Sequence, residues 1–297
     1  MHPMLQGMKV AVLGGDEREL ELIRELVQEG AVIKALCLPP GFAPAAAALF
    51  PDPGECVADA DAVILPVPGI DEKGRLHCTY TAEPLLLTWE TVARIPRKAP
   101  VFVGMARQNL VDMASKRGLR LVQLMQMDEV AILNSIPSAE GAIQMAMEMM
   151  PATIHGSNAF VLGFGRTGMT LARALHALGA VTRVVARNPS QLARAYEMGL
   201  LPLTFDELPR HLTGAGVIFN TVPAPVLTRE LLSLVSPETV IIDLASSPGG
   251  TDFPAAAEMG VKAVLAPGLP GKVAPKTAGR ILARVIKRLL VEGKAGR

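Results

Sequence analysis

The stretch 159–178 constrains the fold more than any other. An apolar run, Ala159–Leu162, enters Gly163-x-Gly165-x-x-Gly168, and Met169–Leu178 continues at helical spacing. Strand, glycine turn and helix in that order form the dinucleotide-binding fingerprint of a βαβ unit. The first glycine allows a tight turn and the second lets backbone approach a pyrophosphate. The third lets helix pack closely on strand. Backbone donors at the helix start, over Gly165, Arg166, Thr167 and Gly168, are then aimed at the phosphates.

The same alternation extends through the chain. Apolar runs at Met8–Leu13, Ala31–Cys37, Ala62–Leu65, Val101–Gly104 and Leu119–Leu124 read as strands, as do Ala159–Leu162, Val181–Ala186, Gly216–Asn220, Val240–Leu244 and Val261–Leu265. Buried parallel strands separated by helical segments predict an α/β protein of two doubly wound, Rossmann-like domains. The expected division is 1–133, completed by a C-terminal return helix over 275–297, and 134–274 as the NADP-binding domain. Ser138–Met150, apolar on most sides, is read as an interdomain helix. In the return helix Arg280, Arg284, Lys287 and Arg288 form a basic face, read as solvated. The Pro/Ala-rich stretch 38–54 is read as irregular.

The strand after the glycines bears on which dinucleotide binds. An NAD site places Asp or Glu about 20 residues on, against the ribose 2′-hydroxyl. Here the strand runs into Arg187-Asn188-Pro189-Ser190, with no acid. A guanidinium there suits a 2′-phosphate, with Ser190 and Arg194 as helpers, so the expected cofactor is NADP. Strand ends face the cofactor in this architecture, which adds Thr221, Val222, Pro223, Leu244, Ala245 and Pro267 to the cofactor set. The loops carrying Ser247 and Lys272 look shaped for a ligand.

Composition excludes other classes. Hydrophobic residues make up 50% of the chain and charged ones 19%, which rules out disorder. A net charge of +1 and 4% aromatics argue against nucleic acid and anionic membranes as partners. Uncharged stretches are proline-broken and too short to span a bilayer, and no leader is expected at the N-terminus. Cys37, Cys56 and Cys78 fit neither a disulfide framework nor a zinc spacing and suit a reducing cytoplasm.

Acid–base candidates are few. His2, His176 and His211 read as structural or exposed, and His77 and His155 lie nearer to cleft loops without a clear role. No histidine follows position 211. Two-domain 2-hydroxy-acid dehydrogenases rely on a late one, so that chemistry is disfavoured, and the catalytic residue is left open. No metal site is expected.

Five segments, MLQGMKVAVLGGDERELELI (4–23), LNSIPSAEGAI (133–143), HGSNAFVLGFGRTGMTLAR (155–173), LASSPGGTDF (244–253) and LAPGLPGKVAPKTAGRIL (265–282), together resemble the family of dipicolinate synthase A subunits from spore-forming bacteria. The resemblance runs end to end. It implies nicotinamide-dependent oxidation of dihydrodipicolinate, or its hydrated precursor, to dipicolinate, in the cytoplasm of the mother cell. That places it on a branch of the lysine and diaminopimelate pathway. It also implies a flavoprotein-like B subunit of dipicolinate synthase as partner, and a homo-oligomer is expected. The alternatives are a nucleotide-binding regulatory subunit or a dehydratase supporting a flavin-containing partner, or a 2-hydroxy-acid dehydrogenase relative. A dicarboxylate substrate needs anion sites, for which Arg107, Asn134, Ser135, Ser138, Ser247 and Lys272 are the candidates. Three of them rest on one expectation: a helix starting just after Pro137 leaves free donors beside Ser135 and Ser138.

Overall fold

Val, Ile and Leu runs that cannot be exposed on either face become the central strands of two parallel sheets. The computed structural model describes residues 3–42 and 46–295, so His2 lies outside the described residues. The chain divides into Met1–Ala131 with Ala274–Arg297 as one unit and Ile132–Val273 as the other.

In the first unit the strands are β1 (Lys9–Leu13), β2 (Val32–Leu36), β3 (Ala47–Leu49) and β4 (Ala62–Ile64). A short antiparallel pair, β5 (Arg75–Leu76) and β6 (Leu85–Leu86), precedes β7 (Val101–Val103) and β8 (Leu121–Gln123). The parallel sheet runs β3-β2-β1-β4-β7-β8, so the direction of winding reverses between β1 and β4. The stretch 38–54, expected to be irregular, contributes the edge strand β3 and the start of the helix Pro53–Val57.

The C-terminal helix Pro275–Ala295 packs on Glu17–Gln28. A Cβ at Gly279 would strike the Arg18 carbonyl oxygen, so a glycine is what allows the two helices to approach. Leu282, Val285 and Ile286 are buried along this helix. The basic face is not simply solvated: Arg280 pairs with Glu21 at 2.8 Å, Lys287 with Glu29 at 2.7 Å and Arg288 with Glu129 at 2.8 Å. Each pair keeps at least one partner in contact with solvent and contributes on the order of 1 kcal/mol, whereas burying one Val, Leu or Ile contributes about 1.5–3 kcal/mol. The apolar face therefore contributes more to holding the helix than the ion pairs do.

In the second unit the strands are β9 (Asn158–Leu162), β10 (Val181–Val185), β11 (Leu201–Leu203), β12 (Val217–Asn220), β13 (Val240–Asp243) and β14 (Lys262–Leu265), in the sheet order β11-β10-β9-β12-β13-β14. Its core joins Val161, Phe219 and Ile242 to Ala139, Ala142 and Ala146 of a long helix.

That helix corrects the sequence reading. It spans Asp128–Met149 with Pro137 inside it, rather than starting after the proline. Proline leaves the Leu133 carbonyl without its usual donor. Hydroxyls bond the two flanking carbonyls: Ser135 Oγ donates to Ile132 O at 2.6 Å and Ser138 Oγ to Asn134 O at 2.9 Å. Nor is the helix apolar-buried all round, because Ile136 and Met147 are exposed. Among the described residues, no helix is long and apolar enough to cross a membrane.

Candidate functional site

The three glycines after β9 have distinct environments. Gly163 turns the chain with φ +89°, a left-handed conformation that favours glycine. A Cβ at Gly168 would collide with the Gly163 carbonyl oxygen, so this position seats the helix Arg166–Ala177 against the strand. Gly165 differs: a Cβ there meets nothing within 4 Å. The backbone is bare at the mouth of the helix, whose N-cap position is Gly165 itself. Donors and open space at one point are what a pyrophosphate requires.

This turn forms the floor of a cleft of 430 Å³. One wall is Thr221, Val222 and Pro223, beyond the end of β12. The fully buried Asn220 shapes that turn, accepting from Val222 N at 2.9 Å and donating to Val222 O at 3.1 Å. Thr221 Oγ1 donates to Leu162 O at 2.8 Å, tying the wall to β9. The opposite wall is Arg187, Gln191 and Phe205, with the Arg187 guanidinium 5.4 Å from the Phe205 ring centre. Gln191 and Phe205 escaped the sequence reading. Gln191 lies four residues past Arg187 and was visible in principle, whereas Phe205 follows β11, an edge strand that went unread. Among the described residues the titratable side chains lining the cleft are Arg166 and Arg187.

Other expected cofactor residues stand apart from this lining. The Ser190 amide donates to Asn188 Oδ1 at 2.8 Å within a helix start, and Arg194 pairs with Glu197 at 2.9 Å. Leu244, Ala245 and Pro267 follow the ends of β13 and β14. The loop after β13 is held by the fully buried Asp243, which accepts from Ala245 N at 3.0 Å, Gly250 N at 2.8 Å and Thr251 Oγ1 at 2.7 Å. Ser247, within that loop, and Lys272, on the short helix Leu269–Val273, are exposed. Arg107 caps the start of Gln108–Arg117 and lies 3.6 Å from Glu72.

The expected anion site at residues 134–138 does not form. Asn134, Ser135 and Ser138 lie in a helix interior, where the backbone donors are used by the preceding turn. Ser135 is buried, with its Oγ 2.7 Å from Thr170 Oγ1. Ser135→Ala is therefore expected to lower stability by about 1 kcal/mol in thermal unfolding, with cofactor affinity unchanged.

The first unit carries a polar cluster that the sequence reading passed over, although it lies within GGDERELELI. Where the second unit leaves its glycine turn bare, the first fills the corresponding place with its own carboxylates. Glu19 accepts from Asp16 N at 2.8 Å and Val67 N at 3.1 Å, bridging the ends of β1 and β4. A Cβ at Gly15 would overlap the Glu19 side chain. Asp16 takes Arg18 through Nε at 2.9 Å and Nη2 at 2.7 Å, and His77 Nε2 stands 3.6 Å away. The Glu19 carboxylate therefore occupies the space beside Gly15 that stays open beside Gly165 in the second unit.

Burial pushes the Glu19 carboxyl up to about 7, with the Asp16 charge adding to it. Burial also opposes ionisation of Asp16, but the bonds and charge of Arg18 outweigh it and hold that carboxyl below its usual value. Between the unfolded value near 4.5 and about 7, the folded state binds more protons at Glu19 than the unfolded chain does. Stability from this group is complete below that window and falls by about 3 kcal/mol as pH rises through it. Denaturant unfolding across the window is expected to show this slope, and Glu19→Gln to flatten it.

The histidines of the second unit lie off the cleft. His155 is in the loop before β9, against Gly179, and His176 is in the last turn of its helix.

Two family models match successive parts of the chain. Residues 9–125 match the family described as the N-terminal domain of the dipicolinate synthase A subunit. Residues 129–247 match the D-isomer specific 2-hydroxyacid dehydrogenase, NAD binding domain. The dipicolinate synthase A subunit of Bacillus subtilis (strain 168) is 44% identical over 301 aligned residues, covering 98% of this chain and 99% of that one. The crystal structure of the dipicolinate synthase A chain from Bacillus subtilis superposes with a TM-score of 0.94 at 42% identity, over 100% of both chains. The corresponding crystal structure from Bacillus halodurans gives 0.93 at 42%, over 97% of this chain and 99% of that one. A transhydrogenase from Sinorhizobium meliloti shares the fold alone, with a TM-score of 0.67 at 15% identity over 95% and 94% of the two chains.

Proposed function

The chain belongs to the family of dipicolinate synthase A subunits, and on that footing we propose that it is an NADP-dependent oxidoreductase converting dihydrodipicolinate, or its hydrated precursor, to dipicolinate. The observation that carries this reading is the bare Gly165 turn beneath Arg187, with no carboxylate among the described lining residues of the cleft. The amides from Gly165 to Gly168 receive the pyrophosphate, and Arg187, beside the Phe205 ring, receives the 2′-phosphate. Thr221, Val222 and Pro223 bound the cleft on the ribose side. When bound, the nicotinamide supplies a hydride acceptor. Aromatisation of the substrate ring drives the loss of hydride, so the protein's task is positioning more than strong base catalysis.

Arg107 in the first unit, and Ser247 and Lys272 in the second, are each exposed and are proposed individually as carboxylate contacts. Within the first unit, Arg18 and His77 lie at the strand ends of its sheet, where α/β sheets take ligands. The argument for Asn134, Ser135 and Ser138 falls with the helix start it relied on. Action in the mother cell, a flavoprotein-like B subunit as partner and a homo-oligomer belong to the same proposal.

A regulatory subunit that binds the nucleotide while a flavin-containing partner does the chemistry is the competing reading. The cleft lining favours it in one respect, since its titratable side chains are arginines. The test is to incubate the purified chain with NADP⁺ and the pathway's aldol product, with and without the partner. Reduced nicotinamide accumulating with the chain alone supports the dehydrogenase. Dipicolinate forming only with the partner, without nicotinamide reduction, supports the regulatory reading.

A further inference from the structure

Cys37 and Cys78 are separated by 41 residues in sequence, yet their sulfurs lie 3.1 Å apart. The backbone brings them together. Cys37 follows β2 and, among the described residues, is the non-glycine residue with a left-handed φ, at 66°. Gly14 N donates to Leu36 O at 3.0 Å, which fixes the end of β2 beside the end of β1. On the other side, Gly15 N donates to His77 O at 2.8 Å and Thr79 N to Gly15 O at 3.0 Å. The glycine pair thus lies between the two cysteine-bearing segments. A Cβ at Gly14 would sit 2.8 Å from His77 O and 3.5 Å from the Cys78 Cβ, so a side chain there would push the Cys78 segment away. Both cysteines are partly exposed, while Cys56 is buried and its Sγ contacts the Lys34 carbonyl.

We propose that Cys37 and Cys78 form a reversible oxidation site, closing to an intramolecular disulfide on reaction with a small-molecule disulfide. The sulfurs need to approach by about 1 Å to reach bonding distance. The step balances as a thiol–disulfide exchange. The Cys78 thiolate attacks the oxidant, forms a mixed disulfide and releases one small thiol. Cys37 then loses its proton, and its sulfur attacks Cys78 Sγ and expels the second small thiol. Two electrons pass from the protein to the oxidant, which leaves as two thiols. Burial and the Cys78 contact push the Cys37 thiol up to about 12, so closure is slow at neutral pH and speeds up in mild alkali. The disulfide would staple the loop carrying His77 to the end of β2, beside the Asp16–Arg18 pair.

The test treats the full chain with excess oxidised glutathione in mild alkali, then counts thiols after denaturation and maps peptides without reduction. The expected result is a fall from the three cysteine thiols of the chain to one. The mass should drop by two hydrogens, a Cys37–Cys78 linked peptide should appear, and dithiothreitol should restore all three thiols. Cys56→Ser should close as the unmodified chain does, while Cys78→Ser should leave Cys37 free or glutathionylated. Stable glutathione adducts on Cys37 or Cys78 without a cross-link would overturn the proposal. So would three intact thiols, or a cross-link through Cys56.

Discussion

Replacing Arg187 by alanine is expected to weaken NADP binding by roughly 10- to 150-fold and to leave NAD binding nearly unchanged. The expectation rests on charge and geometry. Arg187 lies on the wall of the cleft, just past β10, with its guanidinium beside the Phe205 ring. A 2′-phosphate there gains a charge-assisted bidentate pair whose loss costs about 1.5–3 kcal/mol. A 2′-hydroxyl gains little from the same group. Isothermal calorimetry on the two dinucleotides, with both proteins at one ionic strength, reads the difference directly. Equal affinity of the unmodified chain for NAD and NADP would remove Arg187 from the specificity role.

The glycine turn yields the second large effect, as a contrast between two neighbours. Gly165→Val should fold with near-normal stability, because a side chain there enters open space. It should nevertheless lose dinucleotide binding by more than roughly 100-fold, because that space is where the pyrophosphate must approach the backbone. Gly168→Ala should behave in the opposite sense. Its Cβ meets the Gly163 carbonyl, so the second unit should lose about 1–3 kcal/mol of stability even without cofactor. Thermal unfolding and calorimetry on both variants separate the roles. Normal binding by a folded Gly165→Val protein would show that the cradle lies elsewhere.

The sequence made the central strands plain for a physical reason. β1, β9, β12 and β13 lie inside their sheets with both faces covered, so each appears as a short, mostly apolar run (KVAVL, NAFVL, VIFN, VIID). The edge strands β3 and β11 read only AAL and LPL, are partly exposed, and gave no such signal. The glycine motif was equally clear because each glycine answers a steric demand of the backbone. Pro137 misled because the usual reading of an internal proline is a helix boundary. Here the helix runs from Asp128 straight through the proline, and Ser135 and Ser138 turn their hydroxyls back onto the Ile132 and Asn134 carbonyls. The polar cluster of the first unit was hidden for another reason. Asp16, Arg18 and Glu19 look like an ordinary charged helix start until β4 and the loop carrying His77 are folded against it.

Under the proposed function, hydride leaves the substrate for a nicotinamide held by this chain. The most direct measurement uses substrate carrying deuterium on the saturated carbons of its ring, with NADP⁺ and the purified protein. Mass spectrometry of the reduced cofactor should find deuterium in NADPH formed in step with dipicolinate, and Gly165→Val should abolish both. Dipicolinate formed without labelled NADPH would contradict the claim.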